Sequence, residues 1–374
     1  MTPSLYIHIP FCAKKCGYCD FYSINYKRGP ASVYVDVLGG QMEAIRGPVS
    51  TIFIGGGTPT AMDTPLLRKL LRGARRLAAE DAEFTIEANP ESLDAGKLDL
   101  FLDEGVNRLS IGVQSFNDAK LKRLGRIHSA KKAVDAVMLS RKRGFKNIGI
   151  DLIFGAPGET PEDCSAEMAR AVKLPVTHVS CYGLTYEKGT PLYKARKKGE
   201  VIPADEGSSA RMYSLALEYL PAHGFRHYEV SNFAKKGFEC RHNLNYWRNG
   251  EYIGLGPSAV SYIGGVRKRH LADVREYVKR AEAGKSTVTS SERLTRDRKA
   301  KETAAVKIRT AEGIDFGWFK EKTGFDLREL EADALRKLSG TGLIKYKKFA
   351  GKGAGVALTK KGFLFCDTVS SELI

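Results

Sequence analysis

The chain has 374 residues, 43% hydrophobic and 28% charged, which excludes a disordered, collagen-like or wholly coiled-coil chain and, at roughly 150 residues per domain, accommodates two or three domains. Its 60 Lys and Arg against 43 Asp and Glu leave a formal charge of +17, which raises nucleic acid, anionic lipid and acidic substrates as partners. No apolar run approaches the roughly 18 residues of a membrane helix. Residues 1–10 lack the charged region and apolar run of a signal peptide, so the expected location is cytoplasmic.

In chain order, short apolar and β-branched runs predict strands over residues 5–9, 51–54, 84–88, 108–112, 148–154 and 178–184. Helical periodicity fills the gaps. Over residues 64–79, Leu66, Leu67, Leu70, Leu71, Ala74, Leu77 and Ala78 form one stripe, with Arg68, Lys69, Arg72, Arg75 and Arg76 on the other face. This βα alternation implies a parallel sheet, either doubly wound or a full or partial TIM-type barrel. It stops after Leu184. A Lys-rich loop over residues 186–209, a helix over 210–223 and an aromatic, polar run over 227–262 follow.

Residues 267–374 hold 25 Lys and Arg against 15 Asp and Glu, so they carry +10 of the +17. Helical patterns over 295–309 and 327–338, then a glycine-rich turn over 351–355 between strands 343–348 and 356–359, predict a winged-helix-like module. The expected domains are therefore a barrel over 1–210, a barrel extension over 211–266 and a basic C-terminal domain over 267–374.

Three of the seven cysteines, Cys12, Cys16 and Cys19, crowd into eight residues, while Cys164, Cys181, Cys240 and Cys366 are scattered. In a reducing compartment such a cluster holds a metal more readily than it forms disulfides. Structural zinc wants four ligands, usually as two pairs, and no second pair follows. Three thiolates suit a [4Fe-4S] cluster that keeps one iron free of protein.

Binding groups in an α/β barrel sit where the parallel strands end. The predicted strand ends carry Gly55-Gly56-Gly57-Thr58-Pro59, Glu87-Ala88-Asn89-Pro90, Gly112-Val113-Gln114-Ser115 and the run from Tyr182 to Tyr186, with Asp151 within the fifth strand. Singly, each has a plain alternative. A triple glycine is often a tight turn, Glu87 can cap a helix, and Asp151 can be a satisfied buried carboxylate. Their shared register at successive strand ends is what favours a ligand site.

The Cys-x3-Cys-x2-Cys loop after the first strand resembles the radical S-adenosylmethionine (SAM) superfamily. That resemblance implies an iron chelated by the amino and carboxylate groups of SAM and reductive cleavage to a deoxyadenosyl radical. Tyr6 to Cys12, Gly55 to Thr60, Ser110 to Ser115, Leu124 to Ser129 and Asp151 to Gly155 further resemble the oxygen-independent coproporphyrinogen III oxidase family, which includes HemW-type haem chaperones. The implied fold is an α/β partial (βα)6 TIM-type barrel with a C-terminal helical, winged-helix-like module. The implied cluster ligands are Cys12, Cys16 and Cys19, with SAM contacts at Tyr6, Tyr18, Gly56, Gly57, Thr58, Glu87, Gln114, Arg126, Asp151, Thr185 and Val260.

Two features point to the chaperone subgroup. Phe21 stands where the oxidases resemble a fourth cysteine, and the first strand begins without the longer leading segment of the oxidases. A third is the stretch Arg241-His242-Asn243-Leu244-Asn245-Tyr246-Trp247, which looks like the chaperones' haem-associated motif. His242 is the expected haem ligand, against the plainer reading of a core histidine. Cys240 is a second soft donor or a small buried thiol; Cys164, Cys181 and Cys366 read as packing residues. His8 shares a strand face with Tyr6.

The leading expectation is a chaperone that binds a [4Fe-4S] cluster, SAM and haem and passes haem to an acceptor protein, with an electron donor as a further partner. The alternative is oxidative decarboxylation of coproporphyrinogen III to protoporphyrinogen IX. No nucleic acid is expected, because the basic tail shows no recognition helix with interleaved aromatics. Its charge reads as a solvated face or a docking surface for anionic lipid or an acidic partner.

Overall fold

The computed structural model describes residues 2–349 and 353–374, so Met1, Ala350 and, in the expected turn, Gly351 and Lys352 lie outside the described residues. Six strands form in chain order: β1 Ser4–Ile9, β2 Val49–Gly56, β3 Ala78–Ala88, β4 Arg108–Gln114, β5 Asn147–Phe154 and β6 His178–Gly183. Each pairs parallel with the one before it. Parallel neighbours need crossovers, and these are helical: α1 Ala31–Glu43, α2 Thr64–Arg75, α3 Ala95–Asp103, α4 Ala130–Lys142 and α5 Pro161–Ala171.

Helix α2 shows why the sequence folds this way. Asp63 caps it by accepting from the Leu66 N–H, and Pro65 sits in the first turn where no donor is lost. Its Leu67, Leu70, Leu71 and Ala74 are fully buried against the sheet, each leucine contributing about 1.5–3 kcal/mol. The helix stops at Arg75, short of the expected Ala79. The Leu77 carbonyl instead accepts from the Val49 N–H at 2.7 Å, and the chain enters β3 at Ala78, well before the expected Phe84.

Alternation divides each strand. Leu5, Ile7, Ile52, Ile54, Ile86, Leu109, Ile111 and Ile150 join the apolar core under the helices. The other face carries Tyr6, His8, Glu83, Glu87, Arg108, Ser110, Asp151, His178, Ser180 and Tyr182, most of them polar.

After β6 and α6 (Glu206–Ala222), strands β7 Arg226–Glu229 and β8 Asn232–Ala234 extend the β6 edge antiparallel. Strand β9 Tyr252–Leu255 then lands beside β1, parallel to it, with Ser4 opposite Tyr252. The expected alternation ended at β6, so this seventh parallel strand is new. Strands β10 Val260–Ile263, β11 Val266–His270 and β12 Val288–Arg293 continue antiparallel. The resulting sheet has the order β12-β11-β10-β9-β1-β2-β3-β4-β5-β6-β8-β7. Among the described residues its two edges do not pair, so the barrel is partial.

Because β11 and β12 belong to this sheet, and Val274, Tyr277 and Val278 to its core, the division we propose moves from residue 267 to the segment between Arg293 and Ala300. A second core begins at Ala300 and gathers Ile308, Phe319, Leu327, Leu338 and Val356. There the helices Arg296–Lys307, Phe316–Thr323, Leu327–Leu330 and Ala332–Gly340 precede a hairpin of β14 Ile344–Lys348 and β15 Ala354–Leu358, with β13 Ile314–Asp315 along β15. This is the winged-helix-like arrangement. The helix expected over 327–338 is broken at Glu331, whose φ of −129° leaves the helical region. Among the described residues no helix is long and apolar enough to cross a membrane.

Candidate functional site

The cysteine loop leaves β1 at Pro10 and is pinned at several points. Phe11–Cys12 pairs with Ile24–Asn25. The Gly17 N–H donates to Leu124 O at 3.1 Å, and Gly17 O accepts from the Leu192 N–H at 2.8 Å. The end of β2 presses directly on the start of the loop: Gly57 N–H donates to Ile9 O at 2.8 Å and Thr58 N–H to Phe11 O at 2.7 Å. A Cβ at Gly57 would stand 2.7 Å from both of those carbonyls, so glycine is required there for the close approach.

Two side chains reach the sulfurs. Thr58 Oγ1 donates to Cys12 Sγ at 3.5 Å, and Arg126 Nη1 to Cys16 Sγ at 3.4 Å. Cys12 is buried, while Cys16 and Cys19 are half-buried. Burial pushes the Cys12 thiol up and the Cys19 thiol up to about 11. A metal ion bound there would have to displace their protons at neutral pH. Among the described residues no three Cys, His, Asp or Glu side chains are already gathered around a metal position. The donor set fits a cluster with three protein thiolates: soft sulfur donors on one loop, with a cation and a hydroxyl beside two of them.

Beside this loop the strand ends form a cradle. Glu87 Oε2 accepts from the Gly56 N–H at 3.0 Å, and a Cβ at Gly55 would lie 2.7 Å from the Glu87 carboxyl. Asn89 joins two strand ends, donating to Thr58 Oγ1 at 2.9 Å and accepting from Arg126 Nη2 at 2.6 Å. The same Arg126 nitrogen donates to Gly112 O at 2.9 Å, and the Tyr18 hydroxyl is a further neighbour of this guanidinium. Gly112 is tightly enclosed, since a Cβ there would meet Asn89 Oδ1 at 2.8 Å and Gln114 Nε2 at 3.0 Å. Gln114 itself has φ 63°, a left-handed conformation costing roughly 1–3 kcal/mol in a residue other than glycine.

The two acids sit deeper. Burial, then the nearby Asp151 charge, raises Glu87 to about 7. Burial raises Asp151 as well, opposed by hydrogen bonds from Ser180 and Ser110. Tyr6 OH meets His8 Nδ1 at 3.0 Å, and His8 Nε2 donates to Tyr22 O at 2.8 Å, so His8 closes a network beneath the loop. Thr185, exposed past the end of β6, and Val260, half-buried at the start of β10, stand on the segments after β6 and β9. Neither side chain joins the hydrogen bonds of this network among the described residues. Asn89 is not among the SAM contacts that the resemblance implies. Its signal in the sequence is the Glu87-Ala88-Asn89-Pro90 turn at a strand end.

His242 lies in the core. It is the second residue of helix α7 Arg241–Trp247 and is buried with Nδ1 2.7 Å from Thr51 Oγ1 and Nε2 2.9 Å from Tyr246 OH. The first α7 amides, Arg241 N–H and His242 N–H, donate to Glu83 at 3.0 and 3.1 Å, so α7 plugs the N-terminal end of the strands. Thr51, the partner of His242, stands near the start of β2 and Gly57, which meets the cysteine loop, just past its end, while the His242 ring packs 5.1 Å from Phe53 and 6.5 Å from Tyr6. Burial lowers the His242 pKa to about 3. In this conformation both ring nitrogens are engaged and neither is free for iron. Cys240 is likewise fully buried, its thiol 3.5 Å from Glu83 Oε1, which matches a buried thiol and not an open donor. Cys164, Cys181 and Cys366 are buried as expected.

Residues 6–171 match the sequence profile of the radical SAM superfamily. The Bacillus subtilis protein named heme chaperone HemW is 36% identical over 98% of this chain and 97% of its own length. The Lactococcus lactis heme chaperone HemW is 35% identical over 99% of this chain and 97% of its own. Among solved structures, the coproporphyrinogen III oxidase HemN of Escherichia coli covers 100% of this chain and 90% of its own with a TM-score of 0.84. At 23% identity that likeness is one of fold. With a three-cysteine loop over glycine-rich strand ends and relatives that match from end to end, the chain belongs to the HemW haem-chaperone family of the radical SAM superfamily.

Proposed function

We propose that this chain holds a [4Fe-4S] cluster on Cys12, Cys16 and Cys19, binds SAM in the adjoining cradle, and carries haem to an acceptor protein in the cytoplasm, with an electron donor as a further partner. The observation that carries the cofactor reading is the Thr58–Asn89–Arg126 chain. It ties two cysteine sulfurs to the ends of β2, β3 and β4, so cluster loop and cradle are one unit. The haem reading is supported by the relatives' names and by Phe21, exposed where the oxidases resemble a fourth cysteine.

When bound, the cluster and SAM supply an electron and a reducible sulfonium. The protein's own groups have separable tasks. Glu87 and Asp151 accept hydrogen bonds from ligand donors, and their proximity makes a cationic ligand welcome. The glycines at 55–57 and 112 let a ligand lie against backbone. Arg126 offsets thiolate charge at Cys16. Haem ligation by His242 would require its ring to leave Thr51 and Tyr246, so we do not include that residue in the proposed site.

The test is anaerobic reconstitution followed by addition of SAM, dithionite and coproporphyrinogen III, with protoporphyrinogen and deoxyadenosine measured. In parallel, haemin is titrated into wild type and His242→Ala, and transfer to an apo-haemoprotein is followed by absorption. Haem transfer without porphyrin product is expected. Substantial protoporphyrinogen would overturn the chaperone reading for the oxidase one, and lost haemin affinity in a folded His242→Ala protein would restore His242 as ligand.

A further inference from the structure

At the end of β4 the chain makes a three-residue turn. The Ser115 N–H donates back to Val113 O at 2.8 Å, with Gln114 between them at φ 63°. Turns closed by this bond with positive φ at the centre are rare and strained, so something outside the turn must hold it. The holder is one face of α5. The buried Glu167 accepts from Ser115 Oγ at 2.5 Å and from the Phe116 N–H at 3.1 and 2.9 Å, one bond to each carboxylate oxygen. Arg170 follows at the helical i+3 position, so it emerges on the same side. Its Nη1 donates to Phe116 O at 2.8 Å, and its guanidinium stands 5.5 Å from the centre of the Phe116 ring.

Phe116 is thus gripped at its N–H, its carbonyl and its ring. The consequence falls on Gln114. Its amide nitrogen lies where a Cβ on Gly112 would come within 3.0 Å, beside Asn89 and Arg126. The pairing of β4 with β5 shifts register after Ile111 and resumes with Gln114 opposite Leu152, so the ladder holds one side of the turn and the grip on Phe116 the other. Glu167 and Arg170 stand on α5 and not at a strand end, so the strand-end pattern gives no sign of this role.

We propose that Glu167 and Arg170 are positioning residues for the SAM site, acting through the strained Gln114 turn. This rests on the proposed SAM cradle. Glu167→Ala frees the turn to relax to an ordinary φ, and the Gln114 amide then leaves Arg126 and Asn89. Glu167→Gln keeps an acceptor for the Phe116 N–H and loses only the charge, which makes it the gentler variant.

The experiment measures SAM binding to the anaerobically reconstituted full chain, together with the electron paramagnetic resonance spectrum of the reduced cluster with and without SAM. Iron and sulfide content are expected to match wild type in all variants. SAM affinity is expected to fall about ten-fold in Glu167→Ala, the effect of losing one to two hydrogen bonds to a charged group, and less in Glu167→Gln. The SAM-induced spectral change falls with it. Glu167→Ala is expected to add almost nothing in a Gln114→Ala background, a coupling that general destabilisation does not produce. Wild-type SAM binding with equal affinity in a folded Glu167→Gln and Glu167→Ala, or additive effects in the double variant, would overturn the proposal. Failure of the wild type to bind SAM would instead overturn the cofactor reading on which it rests.

Discussion

Arg126 donates to the Cys16 sulfur at 3.4 Å from one guanidinium nitrogen while the other bonds Asn89 and the Gly112 carbonyl. One side chain therefore joins the cysteine loop to two strand ends. Arg126→Ala leaves three partners without a donor but removes no thiolate. The expected result is near-normal iron content with SAM affinity lowered about ten- to hundred-fold, from the roughly 1.5–3 kcal/mol of a charge-assisted hydrogen bond. Iron and sulfide analysis with a SAM titration measures both.

The cysteines separate into two groups by what surrounds them. Cys12→Ala, Cys16→Ala and Cys19→Ala each leave two thiolates and are expected to abolish the brown chromophore after reconstitution. Cys164, Cys181, Cys240 and Cys366 are buried in packing, and their alanine variants are expected to retain it. Absorption near the sulfur-to-iron bands and iron analysis distinguish the groups, and a colourless Cys240 variant that still folds would contradict the assignment.

Glu87 connects the cradle to pH. Its carboxyl takes a proton near pH 7 in the folded chain and near 4.5 when unperturbed. Between those values the unfolded chain holds fewer protons, so the Glu87 contribution to stability falls as pH rises through the window and stays low above it. Glu87→Gln removes the titration while keeping an acceptor for the Gly56 N–H. The ligand-free variant is expected to gain stability over wild type from pH 5 to pH 8, by roughly 1–3 kcal/mol, and to bind SAM more weakly. Urea denaturation across that range reads the first effect. A pH-independent difference would show that Glu87 is not the titrating group.

His242 titrates in the opposite sense. Burial holds its pKa at about 3, against 6.5 for a free imidazole. As pH falls from 6.5 towards 3 the unfolded chain takes up a proton that the folded chain refuses, and stability declines. His242→Ala leaves the Thr51 and Tyr246 hydroxyls without their partner and is expected to cost roughly 2–4 kcal/mol at pH 7.5. That deficit is expected to shrink towards pH 5, because the wild type alone carries the acid penalty. Melting temperatures of both proteins at each pH provide the check.

The sequence carried what is local and periodic. Six strands, the α2 stripe and the three-cysteine loop each declare themselves within a few residues, through alternation, helical spacing and a donor type that suits iron. The glycine and acid positions of the cradle were also legible, because strands that end on one face share a register: Gly56, Glu87, Gln114 and Asp151 each follow an apolar run. The resemblance to a family then supplied the cofactors, which spacing alone could not.

Other features depend on residues far apart in the chain. Nothing near Tyr252 indicates that β9 lies parallel to β1, since its partner Ser4 is at the other end of the barrel sequence. The charge change at residue 267 looked like a boundary, but composition reports the solvent-facing side chains, whereas the sheet continues to Arg293 through backbone hydrogen bonds. His242 carried two readings, haem ligand and core histidine, because its neighbours are aromatic and polar. Thr51 from β2, far back along the chain, engages Nδ1, while Tyr246 on the same helix engages Nε2. Sequence by itself determined which chemical groups this protein has and at which strand ends they stand. Tertiary structure decided which of them remain free, because a hydrogen-bond partner is a matter of distance in space and leaves no mark on spacing along the chain.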